Sequence, residues 1–256
     1  MSEKLHHLGC LPEELGGYVL LPGDPKRVAV IASMLDNPRC VADSREYVTW
    51  TGMLAGTAVS VVSTGIGGPS AAIAVEELAM AGVHTIVRVG TCGALQEGLV
   101  PGTLIIPTAA IRSEGTADTY LPKAFPAVAE FTLVQRLRDA AQTLGYPQKT
   151  GLVDSKDSYY GQHRPETMPL GEELSRNMAM WTMAGALASE MECAALFVAA
   201  SVRGLRAAAV LALCSNPLRE KRTGIYETCF DTTRAIETAV RALRDLIASE
   251  SGGAVC

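Results

Sequence analysis

An α/β fold with a helix-covered parallel or mixed sheet is predicted for this 256-residue chain by three observations. Short apolar runs alternate with helical stripes along the whole length. Hydrophobic residues reach 48 % while aromatics stay at 5 %, and glycine-containing turns recur at the carboxyl ends of the predicted strands. A core of Ala, Val, Leu and Ile is what helix-covered sheets use, and turns at strand ends are where open α/β sheets take ligands. No repeat or linker divides the chain. Residues 1–256 therefore read as one domain, with 1–16 an N-terminal arm and 250–256 a flexible tail.

Tyr18-Val-Leu-Leu21 is an apolar run ending in Pro22-Gly-Asp-Pro-Lys-Arg27, with helical character from Val28 to Leu35. Strand, tight turn and helix follow, with Asp24 as cap and Pro25 in the first turn. The amides around Gly23, beside Arg27, make either an anion site or a plain structural turn. Two β-rich runs, Glu46–Leu54 and Thr57–Ser63, meet at Ala55-Gly56 as a hairpin. Thr64-Gly-Ile-Gly-Gly-Pro-Ser70 then leads into an apolar helix, Ala71 to Ala81. Its glycine spacing matches neither the dinucleotide fingerprint nor a P-loop.

Thr85–Ala94 is a buried strand interrupted by Arg88, a costly charge unless an anion or a carboxylate meets it. Gly90-Thr-Cys-Gly93 adds amides and a hydroxyl at the strand's end. Cys92 reads as a packed thiol, because no His is placed beside it to make a nucleophile. Thr103–Ile111 is a strand with Pro107 at a bulge or an edge, and Ser113–Phe125 is a loop. Ala127–Gly145 is a helix with a core stripe of Phe131, Val134, Leu137, Ala141 and Leu144. After the strand Thr150–Ser155, the polar stretch Lys156–Met168 concentrates Gln162, His163 and Arg164 beside Tyr159 and Tyr160. It is either a specificity loop or a solvated connection to a helix at 171–184. Ala207–Leu213 is a strand ending in Cys214-Ser-Asn-Pro217, and Asp231–Ile247 is the last helix.

Leu187-Ala-Ser-Glu-Met-Glu-Cys-Ala-Ala-Leu196 puts two carboxylates, Glu190 and Glu192, at the start of a buried helix. There they either serve the helix dipole or meet a ligand.

A formal charge of −5 and the lack of a basic stripe exclude a nucleic-acid partner. The longest basic cluster, Arg219-Glu-Lys-Arg222, contains an acid and reads as a solvated loop. The seven cysteines are odd in number and irregularly spaced, so reduced thiols and a cytoplasmic location are expected. The first residues lack an apolar signal core and no apolar run is long enough for a bilayer, so neither secretion nor membrane insertion is expected.

Arginine forks with turn amides suit phosphate, carboxylates suit sugar hydroxyls, and a Gln amide suits the edge of a nucleobase. At this point the chain resembles the hexameric-type nucleoside phosphorylases, and within them the uridine phosphorylases. The resemblance is carried, in order, by His7-Leu-Gly9, Pro22–Arg27, Ser44-Arg-Glu46, Ser63–Ser70, Arg88–Gly93, Tyr160-Gly-Gln-His-Arg164 and Ser189-Glu-Met-Glu192.

The resemblance implies a central twisted mixed β-sheet flanked by helices in three layers. It implies phosphorolysis of uridine to uracil and ribose 1-phosphate, with 2′-deoxyuridine or thymidine as further substrates, and a hexamer built as a trimer of dimers with shared sites. Phosphate would be held by Gly23, Arg27, Arg88 and Thr91, with Arg45 from a neighbouring subunit. Ribose would meet Thr91, Glu190, Met191 and Glu192, with His7 from across the interface. The base would meet Gly93, Tyr159 or Tyr160, Gln162 and Arg164, and His163 would either contact the base or gate the pocket. Arg27, Arg88 and Glu192 would carry the catalysis. No organic cofactor is implied; Glu46, Ile66 and Ser70 match a site for a monovalent cation such as K+ at a subunit interface.

The chain departs from the pattern at two places. The Tyr159-Tyr160 pair is one residue closer to Gly161-Gln162, and Pro217 stands where the family carries an arginine, leaving Arg219 or Arg222 as substitutes. Asn216 stands where purine-specific relatives use an Asp to protonate the base, which disfavours purines. A nucleosidase using water, or an idle nucleoside-binding member, are the rival readings.

Overall fold

The computed structural model describes residues 3–252, and its frame is a single sheet with helices on both faces. In chain order the elements are β1 (Tyr18–Pro22), α1 (Lys26–Ala32), β2 (Asp36–Ser44), β3 (Tyr47–Leu54), β4 (Thr57–Val62), α2 (Gly68–Met80), β5 (Thr85–Ala94) and β6 (Leu104–Ser113). There follow β7 (Ala127–Val128), α3 (Phe131–Thr143), β8 (Gln148–Lys156), α4 (Tyr159–His163), α5 (Gly171–Met183), β9 (Ala188–Glu190), α6 (Cys193–Val202), β10 (Arg206–Ser215), α7 (Pro217–Thr223) and α8 (Thr233–Gly252). The α/β class and the mixed sheet are as expected.

The sheet order is β10-β6-β8-β9-β5-β1-β4-β3-β2, and β10 also pairs with β5. That second pairing curls one half of the sheet into a closed loop. β4, β1, β5 and β10 run parallel, so their carboxyl ends share one side. One helical layer buries Val75 and Leu78 of α2 with Leu196 and Phe197 of α6 against the sheet. The opposite layer buries Ile31 of α1, Leu137 of α3 and Leu243 of α8. Area removed from water on both faces is the main term holding the three layers together.

Local chemistry explains most boundaries. Ala55 and Gly56 both take positive φ, 50° and 79°, the twist a two-residue hairpin needs between β3 and β4. The register of β6 against β8 shifts between Pro107 and Ala109, so the proline sits at a bulge in an interior strand.

Several expectations are corrected. β2 escaped the sequence because its residues 36–44 lie largely on the surface and show no apolar alternation. Residues 127 and 128 pair with β6, and α3 starts at Phe131, where the Glu130 carboxylate accepts the Thr132 and Leu133 amides. Phe131 is 71 % exposed and lies outside the core stripe. Arg219–Arg222 belongs to α7, with the Asn216 side chain accepting the Arg219 amide as its cap. The stretch expected as a loop at 156–168 contains the short helix α4. Helix α8 continues into the expected tail, held by Glu250, which accepts from Arg206 Nη1 at 2.5 Å and from the Tyr18 hydroxyl. Residues 253–256 of that tail, and residues 1 and 2 of the arm, lie outside the described residues. No helix among the described residues is long and apolar enough to cross a membrane.

Candidate active site

A cavity of about 870 Å³ opens at the shared carboxyl ends of β1, β4, β5 and β10, bounded by β9 and α4. Four turns with small residues supply its walls because backbone must pass close to backbone there. A Cβ on Gly23 would lie 3.1 Å from the Gly65 carbonyl and 3.8 Å from Arg88 Nη2. The Gly65 amide donates to the Gly23 carbonyl at 2.8 Å, tying two of the turns together.

Arg88 and Glu192 form the floor. Arg88 Nη2 donates to Glu192 Oε2 at 2.5 Å, and the Gly67 amide donates to Glu192 Oε1 at 2.8 Å. Both side chains are almost wholly buried, at 4 % and 5 % exposure. Burial pushes the Glu192 carboxyl up, against the pull of Arg88. Burial likewise works to lower Arg88, but Glu192 and Glu190 outweigh it and hold the guanidinium charged. Arg88 Nε and Nη1 have no hydrogen-bond partner. Arg88 also lines the cavity, and a buried guanidinium there with unspent N–H groups suits an external oxyanion. Arg27 and Thr91 line the same end. The start of α1 is less available than the sequence implied, because the Asp24 carboxylate already accepts the Lys26 amide at 2.9 Å.

The two carboxylates of the 187–196 stretch have separate jobs. Glu190 belongs to β9, and its Oε2 accepts the amides of Glu192 and Cys193 at 2.8 and 2.9 Å. It thus caps α6 from outside the helix, while its Oε1 accepts the Ser155 hydroxyl. Neither oxygen orders an arginine. The helix-start reading holds for Glu190, whereas Glu192 is committed to Arg88. Met191 lines the cavity between them.

At the other end, Tyr159, Gln162 and His163 project from α4 into the cavity. Helical phase explains which residues of this motif reach it: positions i, i+3 and i+4 share a face, and Tyr160 and Arg164 fall off it. Tyr160 is 62 % exposed and Arg164 is exposed, and neither lines the cavity. The Tyr159 and His163 rings lie 4.2 Å apart. Burial and the neighbouring Lys156 charge lower the His163 pKa, favouring the neutral ring. Gly93 closes this end from β5. The Cys92 thiol is packed as expected; burial pushes its pKa well up.

His7, Arg45 and, of the cation set, Glu46 and Ser70 lie away from the cavity of their own chain, whereas Ile66 lines it. His7 is held by Glu77, whose carboxylate accepts the His7 and Leu8 amides and contacts His7 Nδ1 at 2.6 Å. Arg45 is exposed, with a φ of 56°. Glu46 and Ser70 cluster around Gly65, where the Ser70 hydroxyl donates to the Ile66 carbonyl at 3.2 Å. Among the described residues no group of three metal-ligating side chains occurs.

The substitutes expected for the arginine missing at Pro217 are spent elsewhere: Arg219 pairs with Glu227 at 3.3 Å and Arg222 pairs with Glu97. Asn216 is turned out of the cavity, its Nδ2 donating to the carbonyls of Gln96, Glu97 and Leu99. Sequence reasoning missed Lys156, Ser189, Glu220, Tyr226, Thr228 and Phe230, all of which line the cavity. Tyr226 and Phe230 could have been noticed as two aromatics in an otherwise polar stretch of an aromatic-poor chain. The Ser215–Thr228 bridge is what folds that stretch over the cavity, and it leaves no local signal.

A mixed sheet whose strand ends hold a buried arginine–carboxylate pair, with N–H groups to spare, is the architecture of an enzyme that uses an oxyanion. Residues 18–248 match the family model described as the Phosphorylase superfamily, and the chain belongs to that family. More particularly, the uridine phosphorylase of Treponema pallidum (strain Nichols) is 47 % identical over 246 residues, 96 % of this chain and 95 % of its own. The uridine phosphorylase of Thermococcus kodakarensis is 45 % identical over 236 residues, 91 % and 85 % of the two chains. The guanosine phosphorylase of Halorubrum lacusprofundi is 36 % identical over 241 residues, 94 % and 95 %.

Proposed function

We propose that this chain is a pentosyltransferase that reversibly phosphorolyses uridine to uracil and ribose 1-phosphate. The relatives named uridine phosphorylase support the reaction. The observation that carries it in this chain is Arg88, buried against Glu192 with Nε and Nη1 unspent beside Arg27 and Thr91.

In the reaction the C1′–N1 bond is largely broken before phosphate closes on C1′. Positive charge grows on the ribose and negative charge on the base. Phosphate seated on Gly23, Arg27, Arg88 and Thr91 lies against the cationic sugar and stabilises it more in the transition state than in the ground state. Glu192, oriented by Arg88 and the Gly67 amide, accepts from the ribose hydroxyls, and Met191 packs on the sugar. Gln162, Tyr159, His163 and Gly93 receive the base. Glu190 acts on the ribose through the capped start of α6. The same pocket accommodates 2′-deoxyuridine or thymidine to the extent that space near C2′ and C5 allows.

The surface positions of His7 and Arg45 support a homohexamer in which each completes a neighbour's site. Glu46, Ile66 and Ser70 supply one carboxylate, one carbonyl and one hydroxyl, too few oxygens to replace a cation's water on their own. A K+ site would therefore form only where two subunits bring their sets together. Free cysteines at 10, 40, 92, 193, 214 and 229 support a reducing, cytoplasmic setting, with the reaction serving pyrimidine salvage.

Uracil release from uridine, measured with and without phosphate, tests the proposal. Dependence on phosphate, with ribose 1-phosphate as co-product, is the expected result. Equal cleavage in its absence would establish the nucleosidase instead, and binding without turnover would establish an idle member. Guanosine run in parallel separates the uridine reading from the activity named for the Halorubrum relative.

A further inference from the structure

The cavity is lined by three Arg and Lys side chains, and two of them, Arg27 and Arg88, stand at the phosphate end. The third is Lys156, the last residue of β8, at the end lined by Tyr159, Gln162 and His163. Its setting is unusual for a lysine. The side chain is partly buried, and among the described residues no carboxylate lies within ion-pair distance of it. Its one hydrogen bond goes from Nζ to Ser189 Oγ at 2.8 Å, and Ser189 Oγ donates in turn to Gln162 Oε1 at 2.8 Å, the nearer of its two acceptors, with Asp154 Oδ2 at 3.4 Å. Two N–H groups of the ammonium are left over. The bond from Ser189 also fixes the Gln162 amide, with Oε1 toward Ser189 and the NH₂ free. Burial lowers the Lys156 pKa, while Asp154, Glu190 and Glu192 pull it back up and favour the charged form. The arginine of the same motif, Arg164, lies outside the cavity.

We propose that Lys156 is a catalytic residue for the departing base: its ammonium stabilises the uracil anion directly while its Ser189 link sets the Gln162 amide. The inference rests on the phosphorolysis reading. As the C1′–N1 bond breaks, its electron pair leaves with the base and spreads onto O2 and O4. A phosphate oxygen forms the new bond to C1′, and the anion takes a proton from water after it has left. A preformed cation at the base end acts where that charge develops, and a charged donor does so more strongly than an amide.

The test compares uridine with 5-fluorouridine, whose base is the more stable anion, on wild-type and K156M enzyme at saturating phosphate. Loss of Lys156 should cut kcat for uridine about a hundredfold. The loss for 5-fluorouridine should be markedly smaller, the KM for phosphate should stay within about twofold, and K156R should recover part of the rate. The ratio between substrates is read on one preparation, so a partly unfolded sample does not distort it. K156Q answers the same question if K156M fails to accumulate. An unchanged kcat, or an equal loss on both nucleosides, would overturn the role of Lys156. Phosphate-independent cleavage by the wild-type enzyme would instead overturn the phosphorolysis reading beneath it.

Discussion

Arg88 and Glu192, 104 residues apart in the chain, meet at 2.5 Å in the floor of the cavity, each the other's main charge partner. The pair couples stability to chemistry, because removing either member leaves a buried charge alone.

Glu192→Ala should therefore damage both properties. Turnover of uridine is expected to fall at least about a hundredfold. Because Arg88 is left uncompensated, stability should fall by about 3–5 kcal/mol, on the order of 10 °C in Tm for a chain of this size. Steady-state kinetics alongside thermal melts decide it; lost turnover with an unchanged Tm would mean that the pair does not hold the floor.

Phosphate should stabilise the wild-type protein through the unspent N–H groups of Arg88. At a hundred times its Kd the gain is about 2.7 kcal/mol, readable as a rise in Tm. Arg88→Met should abolish that rise, and an undiminished rise in the variant would place phosphate elsewhere.

Glu77 fastens the N-terminal arm. Although burial alone would raise its pKa, the Leu8 and His7 amides and the His7 ring lower it below the ordinary carboxylate value. Its stabilisation is therefore complete above that ordinary value and is lost as pH falls through the lower, folded one. The protection of amides 5–10 against hydrogen exchange, relative to their intrinsic rates, should fall over that acid interval in the wild type. In Glu77→Gln that protection should be low already at neutral pH, with activity reduced if His7 serves a neighbouring site.

Asn216→Asp should not create a purine nucleoside phosphorylase. The side chain donates to three carbonyls of the 96–99 turn and does not face the cavity, so in an aspartate the oxygen replacing Nδ2 would confront three acceptors while the other keeps the Arg219 amide. A loss of about 1–3 kcal/mol in denaturant unfolding, with no gain of guanosine cleavage, is expected. Appearance of guanosine turnover would show that the residue reaches the base.

Much of the site was legible because its parts are local. Gly23, Arg27, Arg88, Thr91, Gly93, Gln162 and Glu192 stand in short motifs at strand ends, and the structure brings all of them to one cavity. The residues that the cavity does not include share a cause as well. Arg164 and Tyr160 are adjacent in sequence to residues that line the cavity, but one short helical turn, α4, rotates them off its face. Lys156 looked like one polar residue in a loop, and only the end of β8 beside Ser189 makes it a cavity cation.

By itself the sequence determined the alternation of strands and helices, the apolar faces, the hairpin at Ala55-Gly56 and the two acids at 190 and 192. These follow from periodicity and backbone preferences that act within a few residues. Only the tertiary structure decided what each acid does. Glu190 lies in β9 and turns its carboxylate onto the amides that open α6, whereas Glu192, two residues later, faces β5 and finds Arg88. The choice belongs to the sheet. Pairing of β9 with β5 and β8 sets which side of the chain each carboxylate faces, and a buried charge settles on the partner that the fold places within reach.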